Sequence, residues 1–202
     1  MPGPSAEVRY AELEHETVDG RVGIVLDLDG GTRRDISTGN TTLDHMLRLL
    51  AFYANFDLGV SVEGPVLLDD HRTAEHIGGV FGQALVLALP DSRGVERLGS
   101  AHGAAEDALA LVAVELSQSG TLTFNAPWKR EQISGVATES IAEFFRHFCS
   151  KSGVTLHIHK IAGENDYHLC EAIFKGAGLA LSQAVKRNEH HREPKQNSGR
   201  LR

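Results

Sequence analysis

The sequence predicts an α/β fold of two pseudo-symmetric β-β-α-β-α halves, with mixed sheets packed against helices. Two observations lead there. A histidine–acid motif occurs twice, as LLDDHRTAEHIGG from Leu67 to Gly79 and as GENDYHLCEAIFKGAGLAL near the C-terminus. The elements around the two copies also follow one order. In the first copy Glu75 lies four residues after His71, and in the second Glu171 lies three after His168. Both spacings put imidazole and carboxylate on one helical face. Aligning Glu75 with Glu171 sets Ala74 on Cys170, Ile77 on Ile173 and Ala84-Leu85 on Ala180-Leu181. An imidazole beside a carboxylate is a metal-ligand pair or a proton-transfer pair. The first copy alone also fits a helix N-terminus capped by Asp69 or Asp70, with Glu75 solvated. A repeat that keeps both the acid and its histidine neighbour is hard to explain by packing alone.

Taken in order, residues 1–6 are a frayed start. Arg21 to Leu28 is a strand rich in β-branched residues, Asp29-Gly30-Gly31 turns the chain, and Arg33 to Thr38 returns as a second strand. Asn40 to Ala54 is a helix capped by Thr41 or Thr42, with Leu43, Met46, Leu47, Leu50 and Ala51 as its apolar stripe. Phe56 to Val62 alternates as a strand. Asp69 to Ala88 is the central helix, and its Gly78 and Gly79, each about 1 kcal/mol worse than alanine in a helix, point to close packing against another element. Pro90 to Gly103 reads as a loop, and Ala108–Leu116 with Gly120–Asn125 as a hairpin, although the first run is alanine-rich enough for a helix. Thr138 to Ser150 is a helix burying Ile141, Phe144, Phe145 and Phe148; Val154 to Lys160 is a strand with His157 and His159 on one face; Asn165 to Val185 is the last helix. The halves span residues 7–103 and 104–187 of one domain. The polar, basic end, from Lys186 on and chiefly residues 188–202, is a tail with no strong structure of its own.

Composition narrows the function. The 202 residues include 20 basic and 27 acidic ones, a formal net charge of -7, which argues against nonspecific nucleic-acid binding. Cys149 and Cys170 suit a reducing cytosol and lack zinc-type spacing. The first residues carry no apolar signal-peptide core, and no stretch is long and apolar enough to span a bilayer, so the expected setting is cytoplasmic, with no membrane and no nucleic acid as partner. Histidine is over-represented, with 11 in the chain.

The runs DISTGNTTLDHML, LLDDHRTAEHIGGVFGQAL, RGVERLGSA, ATESIAEFF, GVTLHI and GENDYHLCEAIFKGAGLAL stand in the order and at the spacings of the imidazoleglycerol-phosphate dehydratases, and the chain resembles that family from Arg21 to Val185. The resemblance implies a ribosomal protein S5 domain 2-like fold. It implies a lyase of histidine biosynthesis that dehydrates imidazole glycerol phosphate to imidazole acetol phosphate. It also implies two manganese ions per site and sites between subunits of a trimer-based assembly of 24 chains. The proton to be removed lies on a carbon beside an imidazole and is not acidic; cations on the ring nitrogens would let the ring accept the electrons. Manganese takes mixed imidazole and carboxylate ligands.

The chain departs from the family's paired motif, His-His-x-x-Glu. The first copy reads His71-Arg72-x-x-Glu75 and the second Tyr167-His168-x-x-Glu171. Sorting the positions by pseudo-symmetry puts His71, His157, His168 and Glu171 at one metal. His45, position 72, Glu75 and position 167 fall at the other, which has lost two ligands. One manganese per site is therefore expected, with Arg72 supplying a fixed charge near the vacated position; a guanidinium is no ligand. Asp19 stands at a family proton-transfer glutamate, so Glu171 and Asp19 are the acid–base candidates. Arg97 and Lys175 match family substrate-binding positions, with His45 and Arg72 as further substrate contacts, while the family's second phosphate arginine is Ser119 here. Gln196-Asn197-Ser198-Gly199 replaces the family's Ser-Thr-Lys-Gly loop. His76, His147, His190 and His191 read as surface histidines, and Glu106 and Asp107 as an acidic patch of open role. These losses leave two alternatives to the dehydratase: a single-metal enzyme with another substrate, and a catalytically silent metal-binding assembly protein.

Overall fold

The computed structural model describes residues 8–17, 20–64, 70–90 and 92–191. The first half runs β1 (Tyr10–Thr17), β2 (Gly20–Asp27), β3 (Ile36–Ser37), α1 (Thr41–Ala54), β4 (Asp57–Glu63) and α2 (Asp70–Ala88). The second runs β5 (Leu98–Ala105), β6 (Ala108–Glu115), β7 (Leu122–Asn125), a short ribbon of β8 (Gln132–Ile133) and β9 (Val136–Ala137), α3 (Thr138–Ser152), β10 (Thr155–Ala162) and α4 (Asp166–Ala184). The two four-stranded sheets have the same order, β1-β2-β4-β3 and β5-β6-β10-β7. In each half the last strand inserts between the second and third, antiparallel to the former and parallel to the latter.

The helices join the halves crosswise. α2 lies on β1 and β2 and packs against α3; α4 lies on β5 and β6 and packs against α1. One apolar core therefore runs from sheet to sheet. β2 contributes Val22, Ile24 and Leu26 by strict alternation, and α1 its expected stripe of Leu43, Met46, Leu47, Leu50 and Ala51. Phe144 and Phe145 of α3 meet Phe174 of α4, while Phe148 of α3 meets Phe81 of α2 with ring centroids 5.1 Å apart.

The expected mixed α/β fold with sheets packed against helices stands, and several of its details change. Each half has three strands of its four-stranded sheet before its first helix, because β1 and β5 escape a hydropathy reading. β1 turns only Ala11 and Leu13 inward. β5 turns Gly99 and Gly103 inward, since a Cβ at either would collide with a carbonyl oxygen of α4, that of Ala180 or Ala172. The second sheet thus begins at Leu98, inside the segment read as a loop. Neither expected hairpin forms, since β4 separates β2 from β3 and β10 separates β6 from β7. Residues 31–33 do not ladder on β2; their backbone N–H groups all donate to Asp57 Oδ1, at 2.6–2.7 Å. α1 is capped by Asn40, whose side chain accepts from the N–H of Thr42 and Leu43, and not by a threonine.

The segment after α4 is also tied down. Asn188 donates to the Gly94 carbonyl, Val95 bridges Arg187, and Glu189–His191 form a 3-10 turn. Asp29 accepts from both Arg9 and Arg187, and the Arg9 guanidinium beside it lowers its carboxyl to about 2. Residues 196–199 and Asp19 lie outside the described residues. Among the described residues, no helix is long and apolar enough to cross a membrane.

Candidate active site

The second motif copy sits on the first turns of α4. Asn165 starts that helix by accepting from the Tyr167 N–H, and Asp166, buried, accepts from the backbone N–H of Lys129 and Arg130. This anchoring points His168, Glu171 and Lys175 along one stripe. Glu171 is the hub. His45 Nε2, on α1, lies 2.7 Å from Glu171 Oε1, and Lys175 Nζ lies 3.8 Å from Glu171 Oε2. Lys175 also donates to the carbonyl of Ala104. Tyr167 stacks on the His45 ring, centroids 6.2 Å apart, and burial raises its phenol. His45 and Glu171, sorted to different metals from the sequence, are thus direct neighbours, because α1 packs on α4.

His168 meets a partner that sequence reasoning left open. Its Nδ1 is 2.7 Å from Asp107 Oδ1, in the β5–β6 turn. Asp107 Oδ2 in turn accepts from the N–H of Glu164 and Asn165. The His168 hydrogen bond holds the Asp107 carboxyl below the usual carboxylate range. A carboxylate on one ring nitrogen fixes the ring and leaves Nε2 directed elsewhere, the arrangement that metal-binding and proton-transferring histidines share.

The first copy lies on α2, against α3. His71 and Arg72 occupy the first turn of that helix, with Arg72 exposed. Glu75 Oε1 is 2.8 Å from His147 Nε2 of α3. His147, read as a surface histidine, is thus partly exposed and paired with an acid. His157 stands on the outward face of β10 with its ring parallel to that of His159, centroids 6.4 Å apart, and among the described residues it belongs to no group of three or more possible ligands. Arg97 adopts a left-handed backbone conformation, φ 68°, and its guanidinium donates to the Leu116 carbonyl. Ser119 shares a ring of hydroxyl bonds with Ser117 and Thr155 at 2.6–2.8 Å.

Among the described residues, no group of three or more His, Cys, Asp or Glu side chains is arranged to hold a metal ion. The donors occur as nitrogen–oxygen pairs, His45–Glu171 and His147–Glu75, at the two helix joints. Imidazole and carboxylate are donor types that a manganese-like cation takes, but neither pair alone makes a metal site. Cys149 and Cys170 lie in the core; burial pushes the Cys149 thiol up to about 12 and the Cys170 thiol higher, so neither is a nucleophile.

A family model described as imidazoleglycerol-phosphate dehydratase matches residues 38–181, which include both helix joints and both motif copies. The imidazoleglycerol-phosphate dehydratase of Cereibacter sphaeroides is 41% identical over 179 residues, covering 89% of this chain and 92% of that protein. The enzyme of that name from Clostridium botulinum is 39% identical over 186 residues, covering 92% and 95%. Among solved structures, the Staphylococcus aureus imidazoleglycerol-phosphate dehydratase superposes with a TM-score of 0.80 at 32% identity, covering 89% of this chain and 99% of that one. The Pyrococcus furiosus structure, in complex with (S)-C348, gives 0.79 at 30% identity, covering 94% and 100%.

Proposed function

The chain belongs to the imidazoleglycerol-phosphate dehydratase family, and from that membership we propose that it removes water from imidazole glycerol phosphate to give imidazole acetol phosphate, in the cytoplasm. The observation that carries this reading is the Glu171 cluster, in which carboxylate, imidazole and ammonium converge from two helices within the matched residues. Dehydration needs a base for a carbon-bound proton and an acid for the departing hydroxyl. Glu171 is placed to hold or pass a proton, since its Oε1 already faces His45 Nε2. Lys175, beside the same carboxylate, adds positive charge for a phosphorylated substrate. Asp107 holds His168 so that Nε2 is available. Arg97 is the phosphate contact at the far end of α4, and Asp19 is a further acid–base group.

The cation implied by the resemblance is Mn2+, with His168 and Glu171 as donors from α4 and His71 and His157 as donors from elsewhere. Bound there, it supplies Lewis-acid stabilisation of negative charge developing on the substrate ring. Among the described residues His71 and His157 form no group of three or more ligands with the Glu171 cluster, which suits a shell closed by a second copy and so a homo-oligomer of the 24-chain, trimer-based kind. Cation and assembly are then linked, because ligands from two chains stabilise the contact between them.

The test is growth of a histidine auxotroph lacking the family enzyme when this chain is supplied, paired with product formation by the purified protein. Growth with the wild-type chain, and none with Glu171→Gln, is the expected result. Glu171→Gln keeps the shape and removes the charge, and turnover should fall by about 100-fold or more. Failure of the wild-type chain in both assays would favour a divergent substrate, for which Ser119 in place of an arginine is the motive.

A further inference from the structure

The first strand of each half follows an arginine, and the two arginines are equivalent. β1 and β5 start one residue after Arg9 and Arg97, and their first pairs, Tyr10 with Asp27 and Leu98 with Glu115, fall in one register. The Arg9 carbonyl accepts from the Leu28 N–H at 3.0 Å, and the Arg97 carbonyl from the Leu116 N–H at 2.9 Å. The residues after those leucines are therefore matched too, Asp29 in the first half and Ser117 in the second. Arg9 directs two guanidinium nitrogens to Asp29 and a third to the Val185 carbonyl. Arg97 has no carboxylate at the matched position. Its guanidinium donates to the Leu116 carbonyl at 3.1 Å, beside Ser117, which shares the hydroxyl ring with Ser119 and Thr155. A guanidinium and three hydroxyls are donors of the kind that a phosphate group takes. Arg97 and Ser117 are half-buried and Ser119 is exposed, so a solute reaches them.

The second difference lies in the backbone. Arg97 is left-handed, φ 68°, whereas Arg9 is not. That conformation is costly for a residue with a Cβ and persists only where the surroundings impose it. Here the end of α4 and the residues after it impose it. The Arg97 N–H donates to the Ala184 carbonyl at 2.8 Å, and the Glu96 N–H to the Lys186 carbonyl at 2.9 Å. Val95 bridges Arg187, the Asn188 N–H donates to the Gly94 carbonyl at 2.8 Å, and the Gly94 N–H donates to the His191 carbonyl at 3.2 Å. The His191 ring adds a bond from Nδ1 to the Val95 carbonyl, at 3.1 Å.

We propose that residues 186–191 are a positioning clamp for Arg97, holding it so that the phosphate of the substrate takes, beside Arg97 and the Ser117–Ser119–Thr155 hydroxyls, the place that Asp29 takes beside Arg9. The inference rests on the dehydratase reading for the identity of the anion. The clamp itself touches no substrate and acts through Arg97. Released from the ladder, residue 97 relaxes to a right-handed or extended backbone and carries its guanidinium away from Leu116. Held left-handed, the arginine is set in place before the anion arrives, so less freedom is lost on binding. The segment that reads in the sequence as a structureless tail thus has a task, and the strain at residue 97 has a reason.

The experiment uses the full-length protein and two separate readouts, dehydration of imidazole glycerol phosphate and calorimetric titration with inorganic phosphate. Arg97→Ala should raise KM and the phosphate dissociation constant by about 10–100-fold, the loss of a charge-assisted contact. His191→Ala removes the ring bond and Asn188→Pro the donor to Gly94; each should raise both constants by about 3–10-fold, with kcat near that of wild type. His191→Asn, whose amide can still donate to the Val95 carbonyl, should keep wild-type values. Added to Arg97→Ala, His191→Ala should cost nothing further, because the clamp acts only through that side chain. Ser117→Asp should set the first half's anion beside Arg97 and abolish phosphate binding. Unchanged KM and phosphate affinity in both clamp variants overturn the proposal, as does a further loss when His191→Ala joins Arg97→Ala, which is how a merely structural segment behaves. Circular dichroism identifies a clamp variant that has failed to fold; Ser117→Asp, which leaves the clamp intact, then decides, and wild-type phosphate binding in it overturns the proposal. Phosphate binding with the expected pattern but no dehydration removes the dehydratase reading alone. Dehydration with a phosphate affinity indifferent to Arg97 and the clamp removes this inference alone.

Discussion

Two glycines in the same helix should respond in opposite directions to the same substitution. A Cβ at Gly82 would lie 2.5 Å from the Phe148 carbonyl oxygen and 3.0 Å from the Ser152 nitrogen, both backbone atoms of α3. Relieving even the first contact to 3.0 Å moves the helices apart by about 0.5 Å, in a core packed at crystal-like density. Overpacking of this kind costs roughly 1–3 kcal/mol, at the upper end when the opposing atoms are backbone. Alanine returns about 1 kcal/mol through helix propensity, leaving Gly82→Ala destabilised by about 2 kcal/mol. A Cβ at Gly79 meets nothing closer than the Lys151 side chain at 3.7 Å, ordinary contact. Gly79→Ala should therefore be stabilised, by up to about 1 kcal/mol. The gap of about 3 kcal/mol corresponds to roughly 6–12 °C in Tm for a chain of this length. Thermal and urea unfolding at fixed protein and manganese concentration measure it. Equal Tm values, or a more stable Gly82→Ala, would refute the claim that α2 and α3 approach backbone to backbone at residue 82.

Three further outcomes follow from the geometry. Asp107→Asn should weaken manganese binding by about 10–100-fold in a calorimetric titration while leaving the fold intact, because His168 loses the charge that orients its ring; unchanged affinity would show that Asp107 only shapes its turn. Asp29→Asn should cost on the order of 1 kcal/mol at neutral pH, after discounting for a half-exposed carboxylate. Since the folded carboxyl titrates near 2, below its ordinary 3.8, that stabilisation is complete above the ordinary value and is lost as pH falls toward 2, so the two stability curves should converge in acid. Neither Cys149 nor Cys170 should react with a thiol reagent at pH 8 in the native protein, and both should react in urea; rapid labelling of one thiol in buffer would contradict their burial.

What could be read from the chain was whatever repeats along one element. The stripe of α1, the buried phenylalanines of α3 and the motif helices α2 and α4 all declare themselves by spacing, and they stand close to where the spacing put them. What escaped is what depends on which elements become neighbours. β3 and β7 were read as hairpin partners because they follow β2 and β6 in sequence. Nothing local announces that a later strand will come between them. β5 looked like a loop because its inward positions are glycine, and they are glycine because α4 crosses so near that a side chain has no room.

The same division runs through the site. His71 with Glu75, and His168 with Glu171, are visible as one-turn spacings. His45 with Glu171, His147 with Glu75 and His168 with Asp107 are contacts between elements, and no spacing carries them. Sorting ligands from the motif alone therefore separates His45 from Glu171 and sets His147 among the surface histidines. A signal for His147 did exist, in the four-residue step from Glu143 on a helix whose buried face repeats that of α1. It becomes legible only once α2 is seen to pack against α3, because the acid that His147 meets, Glu75, comes from the other half of the chain.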